Sequence, residues 1–301
     1  RLQPDIVHAH DAHAVAMTGL ALSLGGSALS ARFVASRRVD FHVGRNAFSR
    51  WKYRQVECFI CASALIRSML VADGVAPDRT TVVYEGIDLE HVAAAPPINA
   101  HAEFWLPHHA PLVGNVAALV PHKGQRYLIQ AAARVVQRVP DVRFLIVGDG
   151  KLKNALQKQI KQLHLEKRVI LTGFRPDVLS LLKSFDLFVM SSVTEGLGTS
   201  VLDAMACQRA VVATRAGGIP EIVEDETTGL LVPVRDAAAL ADAIVRLLDD
   251  AHRCARYGEA GLTRVRQHFS ADRMVDETLE VYGRLAGTSP EGGTPSRAGA
   301  D

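Results

Sequence analysis

Short apolar runs alternate with helix-length segments along most of the chain. Asp5-Ile-Val-His8 reads as a strand and Ala12 to Leu24 as a helix. Further strands are expected at Phe33 to Ala35, Cys58 to Cys61 and Thr81 to Tyr84, with a helix from Leu65 to Ala72 that stops at Asp73-Gly74. A second series opens at Leu112 and continues at Arg143 to Val147, Val169 to Leu171, Leu187 to Met190 and Ala210 to Ala213. Helical patterns fill its gaps: Gln125 to Arg138, Leu152 to His164, Val178 to Lys183 and Val201 to Ala206. These strands are continuous apolar runs, the pattern of parallel strands covered by helices on both faces. Repeated βα units predict an α/β protein with two Rossmann-like halves.

The segment from Ala93 to Pro111, with Pro96, Pro97 and Pro107, reads as the linker. This divides the chain into a first domain over 1–103 and a second over 104–269. Ala237 to Leu248, His252 to His268 and Ala271 to Leu285 are consecutive helical patterns, and 287–301 reads as a disordered tail. The chain begins at Arg1 rather than Met, with a strand almost at once, so a truncated N-terminus is expected.

Composition narrows the function. With 301 residues and 48% hydrophobic positions, two domains can each bury a core. Lys and Arg number 34 against 32 Asp and Glu, so no basic field points to nucleic acid. Four cysteines are too few for a disulfide scaffold, and a reducing, cytoplasmic setting is the expectation. Cys58 and Cys61 are three apart on a strand and point to opposite faces, which favours core over metal or redox chemistry. The uncharged stretch from Ala14 to Ala31 is broken by Gly25-Gly26-Ser27 and reads as helix then loop, not a membrane span. Peripheral contact with the inner face of a membrane stays open as an expectation, although no strong amphipathic basic helix is legible to support it.

Ligands of open parallel sheets bind beyond the carboxyl ends of the strands. In the second series those ends carry Lys123-Gly124, Gly148-Asp-Gly150, Gly173-Phe174 and the run from Ser191 to Ser200. Gly196-Leu197-Gly198 followed by Thr199 opens a helix, where free amides favour an anion. Lys123 adds a full positive charge to the same rim. Glu195 lies among glycines, where a carboxylate can accept hydrogen bonds from sugar hydroxyls. Asp203 is about one turn into the helix, and Ser200-Val-Leu-Asp203 also reads as a capping box. In the first domain, His8, His10, Asp11 and His13 cluster at a strand end; His8 reads as structural, and His10 as nearer a ligand. A metal there lacks a third ligand. Arg37, Arg38 and His42 are candidates for acceptor choice, with plain surface charge as the alternative.

Together these stations resemble family 4 glycosyltransferases, the retaining GT-B class, over nearly the whole chain to about Leu285. Glu195-Gly-Leu-Gly-Thr-Ser-Val-Leu-Asp203 resembles the family's E-x(7)-E signature, with Asp in the second acidic place. The resemblance implies that Glu195 touches the donor sugar and Asp203 the ribose hydroxyls. Val120-Pro-His-Lys123-Gly124 resembles the V-P-x-K-G station that grips donor phosphates, but Ala118 stands where the family often has arginine. Gly148, Gly150, Gly173 and Phe174 match turns flanking base and diphosphate. Tyr84-Glu-Gly-Ile-Asp88 resembles the N-G-V-D segment. His10 matches a histidine beside the reacting sugar. The βα units carrying the family's first glycine-rich loop are absent.

The implied activity is metal-independent transfer of a sugar, with retention, from a nucleotide-diphosphate donor to a saccharide or lipid-linked acceptor. No Asp-x-Asp metal clamp occurs in the sequence, and no other cofactor is implied. By the same resemblance the last helix, 270–286, returns to the first domain. Alternatives are an epimerase or sugar phosphorylase on a similar scaffold, and a non-catalytic nucleotide-sugar binder. A dehydrogenase is disfavoured because no strand leads into G-x-G-x-x-G.

Overall fold

The computed structural model describes residues 3–25, 31–44 and 46–287. The tail expected over 287–301 lies outside them from 288 onward, as does the break at Gly26-Ser27. Two parallel sheets organise the chain. The first runs β1 (Ile6–Ala9), β2 (Arg32–Arg37), β3 (Cys58–Cys61) and β4 (Thr80–Val82), in sequential order. Between them come α1 (Ala12–Gly25), α2 (Ala47–Arg54) and α3 (Ala64–Ala72). Cys58 packs with Val34, Ile60 and Val83, whereas Cys61 packs on the other face with Phe33, Phe59 and Ile66. The CxxC pair is therefore divided between two cores, as strand alternation requires.

The second sheet holds β5 (Leu112–Val116), β6 (Arg143–Val147), β7 (Val169–Gly173), β8 (Leu187–Met190), β9 (Ala210–Thr214) and β10 (Gly229–Val232). Its spatial order is β10-β9-β8-β5-β6-β7, all parallel. Renumbered from its own first strand, this is the 3-2-1-4-5-6 order of a Rossmann sheet. The order reverses between β5 and β8, and beyond the carboxyl ends at such a reversal is where ligands of open parallel sheets bind. One face is covered by α6 (Gln125–Arg138), α7 (Lys153–Gln162) and α11 (Ala237–Leu248). The other packs α8 (Val178–Leu182), α9 (Thr199–Ala206) and α10 (Ile219–Ile222). Two short linker helices, α4 (Leu89–Ala94) and α5 (Ala100–Glu103), join that second cluster through Val92 and Ala100.

Side-chain caps start several helices where polar residues precede apolar periods. Ser63, Asp236, Asp250 and Ser270 each accept a first-turn amide. After α12 (Ala251–His268), α13 (Ala271–Ala286) crosses to the first sheet, where Val281, Met274 and Leu285 meet Val34 and Ile60. Among the described residues no helix is long and apolar enough to cross a membrane.

The helical spans from sequence shift by a few residues at most, but α2, α4, α5, α10 and strand β10 are not in that reading. One local expectation fails. Ser200 is not a helix cap: α9 starts at Thr199 behind Gly198, whose backbone is left-handed at φ 104°, and no side chain caps it. A capping box requires the hydroxyl residue just outside the helix, and Ser200 is already inside the first turn.

Candidate functional site: the rim at the switch point

Lys123 follows β5 through a 3-10 turn, Pro121–Lys123, and Glu195 follows β8. The switch point therefore brings them together from positions 72 residues apart. Lys123 Nζ donates to both carboxylate oxygens of Glu195, at 2.7 and 2.8 Å. Glu195 is not on open loop, as its glycine neighbours suggest, but is only 6% exposed. Ser192 Oγ donates to the same carboxylate at 2.7 Å. A cation and a hydroxyl together fix the direction of this buried carboxylate.

Two glycines make the approach work. Gly124 has φ 66°, and a Cβ there would lie 2.1 Å from the Ser191 carbonyl oxygen. Gly217, at φ 55°, would place a Cβ 1.7 Å from the carbonyl oxygen of Glu195. Its neighbour Gly218 donates its amide to that same oxygen at 3.0 Å. Gly196, Leu197, Gly198 and Thr199 then lead into α9, whose first turn has no side-chain cap.

The remaining glycine turns expected from the sequence line the same edge of the sheet. The Gly148 amide donates to Gly173 at 2.9 Å, and Leu119 donates to the Asp149 carbonyl at 2.9 Å, so Gly148, Gly150 and Gly173 form one wall beside the Lys123 turn. Phe174 is 76% exposed at its end. Ala118 is exposed on this rim, its carbonyl taken by Gln125 at 2.9 Å. Asp203 lies on α9, partly buried, and desolvation pushes its carboxyl up to about 6.

The first domain closes on this rim through contacts not legible in the sequence. Ser63 Oγ donates to the Gly196 carbonyl at 2.8 Å. Glu221 of α10 accepts the Ala64 and Leu65 amides, at 2.8 and 3.0 Å, and the Tyr84 hydroxyl at 3.0 Å. A carboxylate from one domain thus meets the positive end of a helix in the other. Thr194 also hydrogen-bonds Asp40. The signal for this latch was Ser63 before an apolar helix, which marks a helix start but not its partner.

Arg38 joins the two sides. Its carbonyl is packed against Gly196, and its side chain pairs with Glu85 at 3.0 Å. The same side chain lines a cavity of about 280 Å³ with His8, His10 and Tyr282. His10 is exposed and stacks on His8, with ring centroids 4.1 Å apart. His8 is structural: Tyr282 Oη lies 2.5 Å from its Nδ1 and Ser36 Oγ 2.8 Å from its Nε2. Burial, then the nearby His10 and Arg38, lower the His8 pKa to about 4, so this ring is neutral at physiological pH. Among the described residues no three His, Cys, Asp or Glu side chains group as metal ligands.

Two candidates fall elsewhere. Arg37 is buried and bonded to the Phe41 carbonyl rather than presented as surface charge. His42 pairs with Asp73 at 2.9 Å, at the far end of α3 from Ser63. That is one helix length from Gly196, roughly 13 Å.

Two parallel sheets flanked by helices, one of Rossmann order with a lysine, a carboxylate and an uncapped helix at its switch point, define a two-domain α/β protein. The family description "Glycosyltransferase Family 4" matches residues 1–91, and "Glycosyl transferases group 1" matches residues 110–250. The chain belongs to the family 4 glycosyltransferases and has the GT-B fold. It is 32% identical over 236 residues to D-inositol 3-phosphate glycosyltransferase of Corynebacterium efficiens, covering 74% of this chain and 55% of that one. It is 27% identical over 260 residues to UDP-Gal:alpha-D-GlcNAc-diphosphoundecaprenol alpha-1,3-galactosyltransferase of Escherichia coli, covering 82% and 67%. The crystal structure of Anabaena Alr3699/HepE in complex with UDP-glucose superposes with a TM-score of 0.80 at 25% identity, over 93% of this chain and 79% of that one. Three curated relatives are matched over 40%, 43% and 55% of their own length, so the chain spans about half of each.

Proposed function

We propose that the chain binds a nucleotide-diphosphate sugar at the switch-point rim and transfers the sugar, with retention, to a hydroxyl of a saccharide or lipid-linked acceptor. The Lys123–Glu195 pair at the reversal of strand order is the observation that carries this reading. Lys123 and the first-turn amides of α9 neutralise the diphosphate as the sugar–phosphate bond breaks. Glu195, fixed by Ser192, accepts hydrogen bonds from the sugar hydroxyls. Asp203 meets the ribose, the wall of Gly148, Gly150, Gly173 and Phe174 takes the base and diphosphate, and His10 orients sugar or acceptor from across the cleft. Family membership supports retention and a setting in cytoplasmic polysaccharide or lipopolysaccharide assembly. The UDP-glucose complex of HepE supports a nucleotide-sugar donor.

Protein cations and helix amides do the work of a metal in this scheme, so EDTA leaves transfer intact. Activity lost to EDTA and restored by manganese would refute that part. A thermal-shift screen of UDP-, GDP- and ADP-sugars tests the donor class. One base gives a concentration-dependent rise in melting temperature if the reading holds, and no response to any of them sinks it.

A further inference from the structure

Arg38 belongs to the first domain but stands at the rim of the second. Its carbonyl lies against Gly196, and Asp40, two residues on, hydrogen-bonds Thr194. A Cβ on Gly196 would stand 2.5 Å from that carbonyl, so the two segments are in main-chain contact. They meet on either side of Glu195 and just before the uncapped first turn of α9.

The Arg38 side chain is loosely held. It is 51% exposed, and its Nε pairs with Glu85 at 3.0 Å. Among the described residues its terminal Nη atoms make no hydrogen bond. Other arginines of this region are fully engaged. Arg37 is bonded to the Phe41 carbonyl, and Arg264 to the Ile222 and Glu221 carbonyls and to Glu224. A half-exposed ion pair is weak, and a guanidinium is a planar fork that matches two oxygens of a phosphate. Charge at the rim gives that fork a partner. Lys123 is already matched by both oxygens of Glu195, so the pair is neutral as a whole. Ala118, exposed on the same rim, adds no charge, and the α9 amides add partial charge only. A nucleoside diphosphate brings more negative charge than these groups balance.

We propose that Arg38 is a second cation for the donor's diphosphate, reaching it from the first domain while Lys123 reaches it from the second. This rests on the reading of the rim as a nucleotide-sugar site. The phosphate replaces Glu85 as the partner of the guanidinium, so the donor itself ties the two domains together. Glu85 is then a competitor that weakens diphosphate binding, and Arg38 serves the donor rather than the choice of acceptor.

Equilibrium dialysis of UDP, GDP and ADP, each compared with its uncharged nucleoside, tests this on the full chain. Arg38→Gln weakens the diphosphate that the native chain binds by about tenfold or more and leaves the nucleoside unchanged. Arg38→Lys, which keeps the charge but not the fork, falls between the two. Glu85→Gln tightens the diphosphate by up to about fivefold, because the competing carboxylate is gone. Circular dichroism and ligand-free melting curves establish that each variant is folded. Native diphosphate affinity in Arg38→Gln, with Lys123→Ala still weakened, overturns the proposal and spares the donor-site reading. Weaker diphosphate binding in Glu85→Gln also overturns it, because the ion pair would then be a scaffold rather than a competitor. A native chain that binds none of the diphosphates overturns both.

Discussion

Asp203 is the residue whose environment works most against its ordinary ionisation. Its carboxyl is pushed up to about 6 by desolvation, so between about pH 4 and pH 6 the folded chain holds a proton that the unfolded chain releases. Stability therefore falls as pH rises through that window and is level above it. Asp203→Asn removes the slope, and melting curves of the two proteins diverge from pH 4 to 6, reaching about 1–3 kcal/mol in favour of the variant. Curves that stay parallel across the window would show that Asp203 ionises normally. Lys123 and Glu195 were legible in the sequence because strand-end position and residue chemistry are both local. Ser192, Gly217 and Glu221 were not. Their roles exist only once β8, β9 and α3 are side by side, and a serine or glycine carries no sign of which carboxylate it will meet.

At the scale of elements, long periodic helices and apolar strands were readable, and short ones were not. Helices α4, α5 and α10 have four to six residues, too few to establish a period. The eight residues of α2 have amphipathic spacing but no buried side, so their pattern does not announce a core-facing helix. Helix α13 matters to the site through one side chain. Tyr282 holds His8, on which His10 stacks. Tyr282→Phe removes that contact and lowers stability by about 0.5–1.5 kcal/mol in urea titrations at pH 7. The His8 pKa is lowered to about 4, so the unfolded chain takes up a proton that the folded chain refuses. His8 thus contributes stability that is full above about pH 6.5 and lost as pH falls toward 4. His8→Gln flattens this slope; an unaltered acid limb would place the titration on another group.

At the scale of the whole molecule, the sequence implied two Rossmann-like halves but not their strand order, because neighbours in a sheet are set by crossovers rather than by local pattern. The switch point between β5 and β8 is thus a property of the fold alone. So is the latch between domains, where Glu221 caps α3 and Ser63 reaches Gly196. Charge-assisted hydrogen bonds of this kind contribute about 1.5–3 kcal/mol. Glu221→Ala accordingly speeds hydrogen exchange at the Ala64 and Leu65 amides by about tenfold or more, while the second sheet stays protected. Exchange unchanged at those amides would mean that the two domains are held by other contacts.

The central claim is that the adjacent Lys123 and Glu195 hold neighbouring parts of one donor, its diphosphate and its sugar, and calorimetric titration of the stabilising nucleotide sugar tests it. The titration is run well below the melting temperature on the native chain, Lys123→Ala and Glu195→Ala, with the free nucleoside diphosphate as a second ligand. Lys123→Ala weakens both ligands by tenfold or more, whereas Glu195→Ala weakens the sugar-bearing ligand and spares the diphosphate. Native affinity for both ligands in both variants would contradict the account.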